Sequence, residues 1–135
     1  MATKIFLNLP VKNLEQSIHF FTQLGFSFNP QFTDEKAGCM VISENIFAML
    51  LVDSYFQTFT KKQLCDAKTA TEVLITIDAE SKDAVRDLVK KAAELGAVIY
   101  NEAQDHGWMY QHGFADLDGH QWEIAYLDAS QLPNQ

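Results

Sequence analysis

Short runs of alternating apolar and polar residues are twice interrupted by a stretch of helical periodicity. Residues 3–11 alternate as a strand does. Across 13–25 the spacing changes, and Leu14, Ile18, Phe21 and Leu24 fall on one face of a helix. Asn13 stands at its N-cap with Gln16 three residues on, the capping-box spacing, and Gly25 suits the stop. Strands are then predicted at 26–32, 38–43 and 46–52, with Glu44 and Asn45 turning between the last two. The order recurs further along. A strand at 72–77 leads to a helix at 81–96, where Val85, Leu88, Val89, Ala92 and Leu95 share the inner face and Gly96 closes it. Strands follow at 97–103, 108–115 and 120–127, the last two joined by Asp118-Gly119, a strong hairpin signal.

Both halves therefore read β-α-β-β-β. The expected fold is α+β: two tandem βαβββ modules forming curved mixed sheets around a cavity, within a single domain spanning 1–135. Module one covers about 3–53, a linker about 54–71, module two about 72–127 and a tail 128–135. Val11 aligns with Ile77, Leu24-Gly25 with Leu95-Gly96, and the Glu44-Asn45 turn with Asp118-Gly119. In the linker, Tyr55, Phe56, Phe59 and Leu64 suggest a short amphipathic helix. It is either a connector packed on the core or a lid over a pocket.

Composition narrows the function. Of the 135 residues 47% are hydrophobic and 12% aromatic, enough for a packed core. The net charge of −8 argues against nucleic acid, whose phosphates require clustered Lys and Arg. No apolar run approaches the roughly 18 residues of a membrane span, and the N-terminus does not read as a signal peptide. Cys39 and Cys65 lie in no Cys/His cluster. A cytoplasmic protein with no membrane partner is expected. No nucleophile elbow or glycine-rich phosphate loop is present.

Residues 9–26, the strand-helix-Leu-Gly element of the second half, and DGHQWE at 118–123 together resemble the vicinal-oxygen-chelate superfamily, the glyoxalase/bleomycin resistance/extradiol dioxygenase group. The opening residues and 28–43 are similar to the branch labelled predicted lactoylglutathione lyase. In metal-dependent members each module supplies one ligand from its first strand and one from its last. Counting five residues back from Val11 and Ile77, and five on from Glu44 and Asp118, gives Phe6, Met49, Glu72 and Glu123. These positions depart from the metal pattern: a divalent metal (Ni, Zn, Mn or Mg) would have Glu72 and Glu123 alone, an incomplete site, since phenylalanine cannot ligate and a thioether suits a hard ion poorly, so no cofactor is assigned.

Alternation sends Gln121 and Ala125 to the same face as Glu123, and Phe6, Asn8, Phe47 and Met49 to the cavity side of the first half. Trp108, Tyr110 and His112 share one face, either packed on the core or stacked on a planar ligand. Two carboxylates in an apolar pocket would not both ionise freely, so Glu123 or Glu72 would serve as acid or base. Three functions follow. One is a small-molecule-binding protein with an apolar-aromatic pocket. The second is a metal-dependent glyoxalase I-type lyase or isomerase, and the third a drug-sequestering resistance protein. The resemblance also implies a homodimer.

Overall fold

The computed structural model describes residues 1–132. The chain divides into two compact units, Met1–Cys65 and the part from Asp66 onward. In the first unit, strand β1 (Ile5–Val11) leads to helix α1 (Leu14–Gln23). Strands β2 (Ser27–Phe28), β3 (Ala37–Ser43) and β4 (Ile46–Val52) follow, then a short helix α2 (Asp53–Phe56). In the second, β5 (Ile75–Asp78) and α3 (Lys82–Glu94) precede β6 (Gln104–Asp105), β7 (Met109–Ala115) and β8 (Gln121–Leu127). Each unit holds one four-stranded mixed sheet, ordered β1-β4-β3-β2 and β5-β8-β7-β6. The only parallel pairings in these sheets are β1 with β4 and β5 with β8. The α+β class and the two βαβββ modules expected from the pattern are what the chain forms.

The two helices start as their sequences dictate. The Asn13 side chain accepts from the Gln16 backbone N–H at 3.0 Å, and Ser81 does the same for Ala84. Gly25 and Gly96, at φ of 108° and 106°, end the helices in a backbone region that favours glycine. Helix α1 buries Leu14, Phe20 and Phe21, with the two rings edge to face at 5.0 Å. Helix α3 buries Val85, Val89 and Ala92 and packs on β7 and β8, where Phe114, Trp122 and Ile124 are each about 1% exposed. Burying side chains of this size contributes roughly 1.5–3 kcal/mol apiece. Pro10 sits in β1, an edge strand, where a missing N–H disturbs no inner ladder.

Several expected boundaries shift. Strand β2 keeps only two residues of 26–32, because Pro30 opens a 3-10 turn over Pro30–Phe32 that Asn29 caps. Strand β5 begins at Ile75 rather than at residue 72. The stretch 97–103 is not a strand. Val98 pairs with Ala115 as an isolated bridge, and the ladder resumes only at Gln104. The linker holds α2 and a 3-10 turn over Gln57–Phe59, with Tyr55 and Phe59 edge to face at 5.1 Å. The tail turns once over Ala129–Gln131, and residues 133–135 lie outside the described residues.

The β7–β8 hairpin is organised by a residue the pattern did not mark. Asp116 is only 6% exposed, yet its carboxylate accepts from the Asp118 and His120 backbone N–H groups and from Trp122 Nε1, all at 3.0 Å. Burial pushes its carboxyl above the ordinary value, while His120 and these donors pull it down. At the turn, Gly119 has φ of 92°, and an added Cβ would come within 2.7 Å of the Ala67 and Lys68 backbone. The hairpin tip therefore fixes residues 67–68 beside it. Asp116→Asn turns one acceptor into a donor facing a donor. It is expected to cost about 1–3 kcal/mol in urea unfolding, with the near-ultraviolet signal of Trp122 altered.

Candidate functional site

Glu123 is the third residue of β8, and only 7% of it is exposed. Its neighbours Trp122 and Ile124 point to the side covered by α3, so the carboxylate emerges on the opposite face with Gln121. Across the ladder its partner is Gly113. The Tyr100 hydroxyl donates to Glu123 Oε1 at 2.5 Å, a charge-assisted distance. Among the described residues, the buried Oε2 has no hydrogen-bond partner. Leaving such an acceptor unsatisfied costs free energy, which makes Glu123 the candidate centre of a site.

Gly113 makes this arrangement possible. A Cβ there would lie 2.4 Å from the Trp122 carbonyl, 2.9 Å from the Tyr100 hydroxyl and 3.0 Å from Glu123 Cδ. Only a glycine lets phenol and carboxylate meet over the sheet. Burial, followed by the hydrogen bond to Glu123, drives the Tyr100 pKa upward, so the phenol remains a neutral donor throughout the physiological range.

Tyr100 also lines a cleft of about 550 Å³ contained within the second unit. Val98, Ala115 and Gln121 line it from the sheet and its bridged segment, and the run 67–71 lines it as a wall of consecutive residues. That wall is a turn tied by Asp66, whose carboxylate accepts from the Lys68 N–H and whose carbonyl accepts from the Thr69 and Ala70 N–H groups. Glu123 does not line the cleft; the carboxylate lies behind the phenol.

The remaining expected site residues are scattered. Glu72 is exposed, on a bend ahead of β5. Parallel pairing puts Thr76 beside Glu123, just as it puts Asn8 beside Met49. The helix caps give the same correspondence, since Asn8 lies five residues before Asn13 and Thr76 five before Ser81. The counterpart of Phe6 is therefore Leu74, and the count that reached Glu72 slid by two. It took Ile77 as the partner of Val11, whereas small Ala79 holds that place. In the first unit, Phe6 stacks on Phe47 at 4.9 Å and Lys4 Nζ lies 5.5 Å from the Phe47 ring. Phe6, Asn8, Phe47 and Met49 share one face of that sheet by register.

Tyr110 and His112 stand on the α3 side of β7, opposite in parity to Gly113, and do not join Glu123. Tyr110 is nearly buried, with the Arg86 guanidinium 4.9 Å from its ring centre. His112 Nε2 donates to the Asn101 carbonyl at 2.9 Å, a structural bond. Trp108 precedes β7, and its carbonyl accepts from the Asp128 N–H. Of the two readings of this aromatic group, core packing describes Tyr110.

A metal does not fit these donors. Glu123 spends one oxygen on a phenol, Thr76 stands beside it, and Glu72 is four residues further back along the chain. Among the described residues, no three His, Cys, Asp or Glu side chains gather as a metal ion would need.

Residues 3–43 match the family model described as bleomycin resistance protein-like N-terminal. No curated protein matches the chain. Among solved structures, the hypothetical protein SA1046 from S. aureus is 29% identical, with 93% of this chain and 95% of that one covered and a TM-score of 0.79. A glyoxalase-related enzyme from Fulvimarina pelagi is 17% identical over 93% of this chain and 88% of that one, also at 0.79. The fosfomycin resistance protein FosX from Listeria monocytogenes is 18% identical over 100% and 96%, at 0.70. The fold is that of the glyoxalase/bleomycin resistance/dioxygenase proteins. The match at the N-terminus and the fold together support this superfamily. The last strand of this chain carries a carboxylate that a tyrosine hydroxyl engages.

Sequence reasoning found Glu123 and Gln121 and missed Tyr100. The available signal was Gly113, a glycine inside a strand and directly opposite a glutamate, which marks a close approach. Gly113→Ala is expected to lose about 1–3 kcal/mol through overpacking against a backbone carbonyl, read as a lower urea midpoint. Because folding raises the Tyr100 pKa, the phenol's contribution is full below about pH 10, the unfolded value, and is lost as pH rises through the folded value. The melting advantage of wild type over Tyr100→Phe is thus expected to hold from neutral pH to about 10 and to shrink above it.

Proposed function

We propose that this chain is a glyoxalase/bleomycin-resistance-like protein that binds a small organic molecule in the cleft of its second unit. Tyr100 and Gln121 supply the polar contacts and Glu123 the buried anchor. The observation that carries this reading is the unpartnered Glu123 oxygen behind a cleft-lining phenol. Clefts of several hundred Å³ with mostly apolar walls and few convergent polar groups are the usual form of small-molecule sites.

Sequestration of a drug is the second reading. It rests on the bleomycin resistance protein-like match and on similarity to a protein titled a fosfomycin resistance protein. A glyoxalase I-type, lactoylglutathione lyase-like reaction would draw on a divalent metal, and these donors give that alternative no support. A homodimer in the cytoplasm is proposed on the resemblance alone, and light scattering tests the dimer.

Nuclear magnetic resonance amide shifts, recorded while a panel of single-ring aromatic compounds is titrated, test the binding reading. Perturbations are expected at Tyr100, Ala115 and Gln121, and Gln121→Ala should weaken them about tenfold, the effect of losing a hydrogen bond of roughly 1.4 kcal/mol. Shifts confined to residues away from the cleft would sink it. Thermal stabilisation by bleomycin is expected on the sequestration reading, and an unchanged melting temperature rejects it for that drug.

A further inference from the structure

We propose that the ligand of this cleft reaches Glu123 by displacing the Tyr100 phenol, and that it therefore carries an O–H or N–H donor on an apolar ring-sized body. The inference rests on the binding reading above and names the chemistry that the site selects.

Three observations point this way. First, both oxygens of the carboxylate are acceptors, and among the described residues the hydrogen-bond donor supplied to them is one phenol, on Oε1. An incoming donor replaces like with like, whereas a group with only acceptors would confront two lone-pair-bearing oxygens in a desolvated place. Second, Tyr100 both donates its hydroxyl to Glu123 and lines the cleft, so the phenol is the link between cleft and carboxylate. Third, Tyr100 stands on backbone outside the sheet ladder. Val98 bridges to Ala115 before it, His112 holds the Asn101 carbonyl after it, and the strand resumes only at Gln104. The side chain can rotate away without breaking a ladder hydrogen bond. The space vacated is shaped for a phenol, because Gly113 offers no Cβ to fill it.

Tyr100→Ala exposes that space, and the probes are phenol and benzylamine, a neutral and a cationic donor, against anisole, which has the ring and no donor. Calorimetry is expected to find phenol or benzylamine at least about tenfold tighter than anisole on Tyr100→Ala, since one charge-assisted hydrogen bond is worth that much or more. The discrimination should vanish in Tyr100→Ala/Glu123→Leu. Tyr100→Phe keeps the ring but not the bond to be broken, and should bind the donor probes about tenfold tighter than wild type. This conservative variant also covers the case in which Tyr100→Ala fails to fold. Equal binding of phenol and anisole, or donor affinity in Tyr100→Phe no higher than in wild type, overturns displacement while leaving the cleft as a binding site. Absence of binding by all three probes to wild type and both single Tyr100 variants overturns the present inference, and the cleft reading falls separately if the aromatic panel moves no cleft amide.

Discussion

The hydrogen bond from Tyr100 to Glu123 over a bare glycine is the constraint on which the second unit's surface depends. A carboxylate in the middle of a strand is costly to bury, and strand propensity alone would disfavour it. The sheet accommodates it by removing the Cβ across the ladder at Gly113 and bringing in a phenol from chain that has left the ladder. One of the two oxygens is thereby engaged, and among the described residues the other has no donor.

Around that bond the framework is held by a second buried carboxylate with the opposite character. Asp116 satisfies its acceptors with three N–H groups drawn from its own hairpin and from Trp122. Networks of this kind rigidify when complete. The same hairpin presses Gly119 against residues 67–68, which sets one wall of the cleft. One carboxylate holds three N–H donors, while the other holds one phenol on one of its two oxygens. Only this contrast in satisfaction separates their roles, because both are nearly equally buried.

The solved structures that this chain resembles show the fold, not what Glu123 meets. In this chain the residue beside Glu123 is Thr76, and the corresponding pair in the first unit is Asn8 with Met49. None of these is a strong metal ligand, and a phenol has taken one of the carboxylate's oxygens. What these residues offer is hydrogen bonding at a buried carboxylate.

The sequence by itself determined both helices, the cap at Asn13, the glycine stops, four of the strands nearly to the residue, and the repeat of βαβββ. These are local: periodicity, capping and turn chemistry act over a few residues and can be read from them. It also determined the parity that turns Glu123 and Gln121 to one face. The tertiary structure alone decided which residues meet them. Tyr100 is 23 residues away and reaches Glu123 only because the chain after α3 leaves the ladder at Val98. Glu72 was misplaced because the strand-to-helix link is not marked by apolar residues in the second module, so only the parallel register could show that Thr76 stands opposite Glu123. Tyr110 and His112 showed a shared parity but not which face of the sheet α3 would cover. Register and facing are properties of pairs distant in sequence, and no local pattern carries them.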